Sequence, residues 1–144
     1  MMVTQKKQYA LRALFELARR GGQAPVKNNA IAEAQAIPPR FLEVIMAKLK
    51  RSGLVISKRG FYGGYLLSRP PAEISVMDLF AALDDGDRPE ECNACVSKST
   101  CPFMDNCVFM PLWEEVQQAV DKVYATTSLQ DLLEREQNRR SISP

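Results

Sequence analysis

Ile37-Pro38-Pro39-Arg40-Phe41-Leu42-Glu43, continuing to Leu49-Lys50-Arg51-Ser52-Gly53-Leu54-Val55, is the stretch on which the fold turns. Two prolines break the chain and open a helix, because a fixed φ and a missing N–H suit the first helical turn. Phe41, Leu42, Ile45, Met46 and Leu49 give that helix an apolar face. Arg40, Glu43, Lys48, Lys50 and Arg51 are left polar, and Ser52-Gly53 ends it. Two β-prone pieces follow, Leu54-Val55-Ile56-Ser57-Lys58 and Tyr65-Leu66-Leu67-Ser68. They flank Arg59-Gly60-Phe61-Tyr62-Gly63-Gly64, a hairpin signal whose glycines supply positive φ.

Upstream, a first helix is expected from Thr4 to about Arg20, with Ala10, Ala13, Leu14, Leu17 and Ala18 at helical spacing and Gly21-Gly22 as its stop. A shorter helix runs from about Asn28 to Gln35, with Ile31, Ala32 and Ala36 on one side and Asn28-Asn29 as cap candidates. Arg69-Pro70-Pro71 closes the module. Three helices, with a short link between the second and third, then a two-stranded hairpin, make a winged helix-turn-helix.

Beyond it, Val76, Leu79, Phe80 and Leu83 mark a helix from about Ser75 to Leu83, and Asp84 to Pro89 reads as a loop. From Pro111 a long helix carries Leu112, Val116, Ala119, Val120, Val123 and Tyr124 as a continuous apolar stripe. A last short helix, Leu129 to about Gln137, precedes a polar tail expected to fray. The fold class is mostly α with a small β-hairpin.

The 144 residues, 46% hydrophobic and 25% charged, suit one core-bearing domain, or a small domain with an accessory element. The net charge of +2 conceals an asymmetry: residues 1–69 balance at +10 and residues 70–144 at −8. A basic half that touches a polyanion and an acidic half with another task is the natural reading. Histidine is absent, which excludes Ser-His-Asp and Cys-His catalysis and every His-containing zinc site. No apolar run is long enough to cross a membrane, and Met1 to Lys7 leads into an amphipathic stretch rather than a signal core. A soluble, cytoplasmic protein is expected.

On the third helix, Arg40 and Glu43 lie near the N-terminal end, where base edges come within reach: Arg pairs with guanine and Glu accepts from cytosine. Lys48, Lys50 and Arg51 lie further along and suit phosphates. Lys58 and Arg59 sit at a glycine-rich tip suited to the adjacent minor groove. Phe61 and Tyr62 on that tip are open to two readings, contact with nucleic acid or packing against the hairpin's own module or a partner subunit.

All four cysteines fall within sixteen residues, as Cys92-x₂-Cys95-x₅-Cys101-x₅-Cys107. One inorganic centre needs several thiolates brought together, so this clustering points to metal ligation, and to an iron–sulfur cluster before zinc, which draws its ligands from tight pairs. Two disulfides would suit an intracellular DNA-binding chain poorly.

Taken together, these pieces resemble the IscR/NsrR/CymR family of bacterial winged-helix regulators, from about Thr4 to Leu133. The likeness rests on Tyr9-Ala10-Leu11-Arg12, Ile37-Pro38-Pro39-Arg40-Phe41-Leu42-Glu43, Leu49-Lys50-Arg51-Ser52-Gly53-Leu54-Val55 and Arg59-Gly60-x-x-Gly63-Gly64-Tyr65-Leu66-Leu67, with the cysteine spacing and Leu112-Trp113 beyond it. The resemblance implies a homodimer whose long helices cross, burying Leu112, Val116, Val120, Val123 and Tyr124, and operator DNA held by Arg40, Glu43 and Arg59. It also implies cluster ligation by Cys95, Cys101 and Cys107. Three departures stand out, the first being a wing that reads Arg59-Gly60-Phe61-Tyr62 without the family's usual proline and third glycine. Met110 occupies the place of a histidine in the iron–sulfur biogenesis branch, and Gln8 that of a carboxylate in the nitric-oxide-sensing branch. Cys92 then completes a four-thiolate set, and the nuclearity, 2Fe–2S or 4Fe–4S, stays open.

The expected organisation is therefore a DNA-binding module over residues 1–71 and a cluster-binding loop with dimerisation helices over residues 72–144. The expected function is a transcription regulator whose affinity for a DNA operator follows its cluster. The competing readings are a small iron–sulfur redox or scaffold protein, and a zinc- or thiol-based regulator of the same fold. An enzyme is not expected.

Overall fold

A computed structural model of the chain describes residues 3–84, 101–103 and 106–142. The described elements are α1 (Gln5–Arg19), α2 (Asn28–Gln35), α3 (Pro39–Arg51), β1 (Val55–Lys58), β2 (Gly64–Leu67), α4 (Val76–Leu83), α5 (Met110–Thr126) and α6 (Leu129–Ile142), with a 3-10 turn at Pro71–Glu73. This is the expected class, mostly helical with one antiparallel hairpin.

The helix starts show how local chemistry sets the elements. Thr4 Oγ1 accepts the Lys7 N–H at 3.2 Å and caps α1. Ser75 and Asp78 form a reciprocal capping box on α4: Asp78 N–H donates to Ser75 Oγ at 3.0 Å and Ser75 N–H to Asp78 Oδ2 at 2.9 Å. The Ser75 backbone bond holds the Asp78 carboxyl below the usual range, against a smaller opposing effect of burial and with help from Arg69.

At α2 the expectation fails. Asn28 and Asn29 do not cap the helix; Lys27 is the N-cap residue and makes no side-chain cap bond. Asn28 has turned inside the helix, where its Nδ2 donates to the Pro39 carbonyl at 3.2 Å and ties α2 to the first turn of α3. The link between the two helices passes through Ala36 in the left-handed region, φ 50° and ψ 48°, an uncommon backbone for a residue other than glycine. That turn lets the Ile37 N–H reach the Ala32 carbonyl at 2.9 Å.

One core unites the chain. Leu14 of α1, Ile31 of α2, Leu42, Ile45 and Leu49 of α3, and Leu79 of α4 are fully buried, and Leu129 at the head of α6 joins them. Phe41 is a second correction. It is exposed on the flank of α3 rather than on its apolar face, with its ring edge-on to Tyr9 of α1 at 5.6 Å.

Two backbone bridges shape what surrounds that core. The hairpin pairs Val55 with Leu67 and Lys58 with Gly64, and β2 pairs on its other edge with Val26. Val26 N–H donates to the Tyr65 carbonyl at 2.9 Å and Tyr65 N–H to the Val26 carbonyl at 2.8 Å. Gly64 is required there. Its φ is +145°, and a Cβ would stand 2.5 Å from the Val26 carbonyl carbon and oxygen. The second bridge joins Ser75 to Ser128: Val76 N–H donates to the Thr127 carbonyl and Leu129 N–H to the Ile74 carbonyl, both at 2.9 Å.

The last helix is longer than expected, reaching Ile142 instead of ending near Gln137. Ser128 N–H and Oγ each donate to Asp131 Oδ2 at 2.7 Å, which starts the helix firmly and lowers the Asp131 pKa. Arg139 and Arg140 lie in its last turn, where the helix dipole favours cations, and Arg140 reaches Glu136 at 2.7 Å. An Arg19–Glu136 contact of 3.6 Å ties this helix to α1.

Candidate nucleic-acid interface and cysteine segment

Helical geometry divides α3 into two faces. Leu42, Ile45, Met46 and Leu49 turn inward. Arg40, Glu43, Val44, Ala47, Lys50 and Arg51 are exposed, and Lys48 is half-buried on one flank. Arg40, Val44, Ala47 and Arg51, spaced 4, 3 and 4 residues apart, form one outward row with Glu43 beside it. The polar residues expected to read DNA are therefore brought onto a single surface. Val44 and Ala47 were missed. Their signal is that the buried set has no use for them, which leaves apolar groups on a face suited to thymine methyls.

Between α1 and the end of α2 lies a charged cluster that the sequence did not disclose. Glu16 of α1 is only 2% exposed. Its carboxylate accepts from Arg19 at 2.6 Å, Arg20 at 2.7 Å and Gln35 Nε2 at 2.8 Å, while Arg12 donates to the Gln35 backbone carbonyl. Burial pushes the Glu16 pKa up, but the bonds from Arg20 and Gln35 and the charges of Arg19 and Arg20 outweigh it and hold it below the ordinary value. Gln35 ends α2, so the cluster pins the helix-turn-helix corner to α1.

In the wing, Lys58 and Arg59 are exposed beside Phe61 and Tyr62, which are 80% and 86% exposed. The two rings meet edge to face at 5.0 Å, and Lys27 Nζ stands 5.1 Å from the Phe61 ring centre. From Val44 through Ala72 the chain has no Asp or Glu, while Lys48, Lys50, Arg51, Lys58, Arg59 and Arg69 fall within it.

Cys92 and Cys95 lie outside the described residues. Cys101 and Cys107 are half-buried thiols, not joined in a disulfide. Phe103 and Phe109, two residues beyond each of them, meet edge to face at 5.5 Å. Among the described residues no three potential ligands converge. Free thiols are nonetheless the donor type that iron–sulfur clusters take, so the chemistry of Cys101 and Cys107 fits such a group. Met110, the first residue of α5, is half-buried, and Gln8 is exposed on α1.

Cys107 stands just before α5, which has 17 residues and not one fully buried. Its apolar stripe is open: Leu112 is 50% and Val123 59% exposed, while Val116, Val120 and Tyr124 are half-buried. Tyr124 is partly engaged within the chain, its ring edge-on to Phe80 of α4 at 4.9 Å. No described helix is long and apolar enough to cross a membrane.

Comparison with known proteins accords with this geometry. The family model described as "Rrf2: Iron-dependent Transcriptional regulator" matches residues 3–135. The chain is 32% identical over 133 residues to "Protein rrf2" of Nitratidesulfovibrio vulgaris (strain Hildenborough), covering 92% of this chain and 87% of that one. The structure of T. potens IscR superposes with a TM-score of 0.80 at 30% identity, covering 100% of this chain and 94% of that chain. That of CymR, described as the global cysteine regulator of B. subtilis, superposes with a TM-score of 0.73 at 31% identity, over 92% and 95%. A winged reading head with a basic surface, matched over nearly the whole chain by transcription regulators, leaves one conclusion: the chain belongs to the Rrf2 family of DNA-binding transcription regulators.

Proposed function

We propose that the protein acts in the cytoplasm as a homodimeric regulator whose grip on a twofold-symmetric DNA operator is set by an iron–sulfur cluster held in the cysteine segment. Cys95, Cys101 and Cys107 ligate the cluster, with Cys92 as the fourth thiolate. When bound, the group supplies a centre that gains, loses or changes iron in response to redox or gaseous signals. Arg40 and Glu43 read base edges, Lys48, Lys50 and Arg51 engage phosphates, and Lys58 and Arg59 enter the minor groove. Residues 1–71 carry the reading function and residues 72–144 sensing and dimerisation. In the dimer the α5 stripe of Leu112, Val116, Val120, Val123 and Tyr124 faces its counterpart.

The observation that carries this reading is the position of α5. It begins three residues after Cys107, leaves Leu112 and Val123 of its stripe exposed and Val116, Val120 and Tyr124 half-buried, and ends two residues before the Ser75–Ser128 bridge at the start of α4, which packs on α1 and α3. A change in the cysteine segment therefore bears on the helix that sets the spacing between two heads. A thiol-based regulator of the same fold is the second reading, favoured by the free thiols of Cys101 and Cys107 and the likeness to CymR.

The test is anaerobic purification with iron and sulfide quantitation, followed by duplex binding before and after cluster removal. Iron and sulfide in cluster ratio, with a change in DNA affinity on removal, is expected. Protein free of both after anaerobic expression, with affinity that follows thiol oxidation, overturns the cluster reading in favour of the second.

A further inference from the structure

Phe61 and Tyr62 leave most of their apolar surface in water. They are the most exposed aromatic side chains described; they meet each other edge to face, and the module beneath reaches Phe61 through the Lys27 ammonium rather than through apolar packing. That disposes of one of the two explanations the sequence left open, packing against the hairpin's own module. Aromatic rings held clear of the protein at the end of a rigid hairpin fit insertion into a partner.

The choice of partner rests on charge. Lys58 and Arg59 precede the rings, and Lys27 lies over the Phe61 face at 5.1 Å. No Asp or Glu occurs from Val44 to Ala72 to offset them. A tip-to-tip contact with a second copy would bring the same cations against themselves, and the acidic half of a copy offers charge but no slot for a ring, whereas a nucleic-acid groove brings phosphates on both sides of an apolar wedge. The tip is also stiff. Gly63 sits where a Cβ would stand 2.2 Å from the Lys58 carbonyl oxygen, so the turn is closed tightly on itself, and Gly64 is locked against Val26.

We propose that Tyr62, backed by Phe61, is an apolar wedge that enters the minor groove of duplex DNA and partly unstacks a base step, with Lys27, Lys58 and Arg59 on the flanking phosphates. This rests on the DNA-binding reading above and adds a contact whose character is not ionic. The perpendicular arrangement of the rings, 86° between planes, lets Tyr62 stand between bases while Phe61 lies along the groove wall. Lys27, at the start of α2, fixes Phe61 from behind and so links the wedge to the helix-turn-helix.

The experiment uses the full-length protein, purified anaerobically, and a short duplex that it selects from a random-sequence pool. Affinity is measured across a salt series with wild type, Tyr62→Ala, Tyr62→Phe, Phe61→Ala and Arg59→Ala, and the same duplex carries 2-aminopurine in its minor-groove contact region. Tyr62→Ala is expected to weaken binding by about tenfold with an unchanged salt slope, and Tyr62→Phe to keep wild-type affinity. Wild type is expected to raise 2-aminopurine emission, and Tyr62→Ala not to. Arg59→Ala is expected to lower the salt slope by about one. Wild-type affinity and emission in both Tyr62→Ala and Phe61→Ala, with Arg59→Ala still lowering the slope, overturns the wedge and leaves the DNA reading intact. So does a Tyr62→Ala protein whose sedimentation differs from wild type, since the tip is then a protein contact. Failure of wild type to enrich any duplex overturns both readings.

Discussion

Gly60 and Gly64 lie four residues apart in the wing, both at positive φ, and alanine at each should have very different effects. At Gly60, φ is +101° and the space where a Cβ would project is empty, so Gly60→Ala costs only the left-handed backbone, about 1 kcal/mol. At Gly64 the same backbone cost is joined by a collision. The new Cβ would lie 2.5 Å from the carbonyl carbon and oxygen of Val26 and 2.8 Å from the Lys27 nitrogen, backbone atoms that cannot swing aside. The cheapest relief is to open the Val26–Tyr65 bridge, losing two hydrogen bonds of 2.9 and 2.8 Å worth about 1 kcal/mol each. Gly64→Ala should then cost about 3 kcal/mol, paid in the wing's attachment rather than in the helical core. Amide exchange at Tyr65 and Val26 reports that bridge directly, and duplex binding over a salt series reports the wing. Rapid exchange at both amides, weakened binding and a largely preserved helical signal are expected for Gly64→Ala, with Gly60→Ala near wild type. Equal losses in the two variants, or protected Val26 and Tyr65 amides in Gly64→Ala, would refute the reasoning.

The other expectations can be stated more briefly. Glu16→Gln should destabilise the fold by about 1–2 kcal/mol at neutral pH, a figure held down because Arg19 and Arg20 are themselves more than a third exposed. Because the folded Glu16 pKa is depressed, this stabilisation is present above the unfolded glutamate value and lost as pH falls through the folded one, so melts of wild type and variant should stay apart at neutral pH and draw together only at pH below the ordinary glutamate value. Val120→Glu should place an unpaired charge in the proposed α5 seam and give monomers by sedimentation at low concentration; persistent dimers would move the seam elsewhere. Cys95→Ser, Cys101→Ser and Cys107→Ser should each abolish the cluster absorbance. Cys92→Ser should only hasten its loss under oxygen, and decay of Cys92→Ser at the wild-type rate would remove it from the ligand set.

The helical and hairpin frame was legible because its signals are local and periodic. Gly21-Gly22, Pro38-Pro39 and Ser52-Gly53 punctuate the chain where α1, α3 and their neighbours begin or end, and the apolar spacing of α3 identified Leu42, Ile45, Met46 and Leu49 correctly. What escaped was set by contacts between distant segments. Val26 pairs with Tyr65 through two hydrogen bonds on a single residue, too short a strand to leave any alternation. Glu16 carries no signal in the sequence, since nothing in its neighbours announces that Gln35 arrives from α2 to cover it. Phe41 satisfied helical spacing but belonged to the flank facing Tyr9. Asn28 had the right chemistry for a cap and one better use, the Pro39 carbonyl across the corner. The polar stretch after Gln137 carried no apolar stripe to mark it as helix, although Arg139 and Arg140 sit where a helix C-terminus welcomes them.

Leu129 has a consequence for how such a chain is made. Its side chain is fully buried in the core to which α1 to α4 also contribute, where α6 packs on α1, and the Ile74 carbonyl receives its N–H. On a ribosome, the three helices and the hairpin emerge long before that residue is synthesised. The reading head therefore spends that interval with a hole in its interior where one leucine belongs. By the time Leu129 clears the exit tunnel, all four cysteines have already been translated. Completion of the head is thus scheduled after the cysteine segment has been made, so a nascent chain that stalls between them carries its cysteines without a finished reading head.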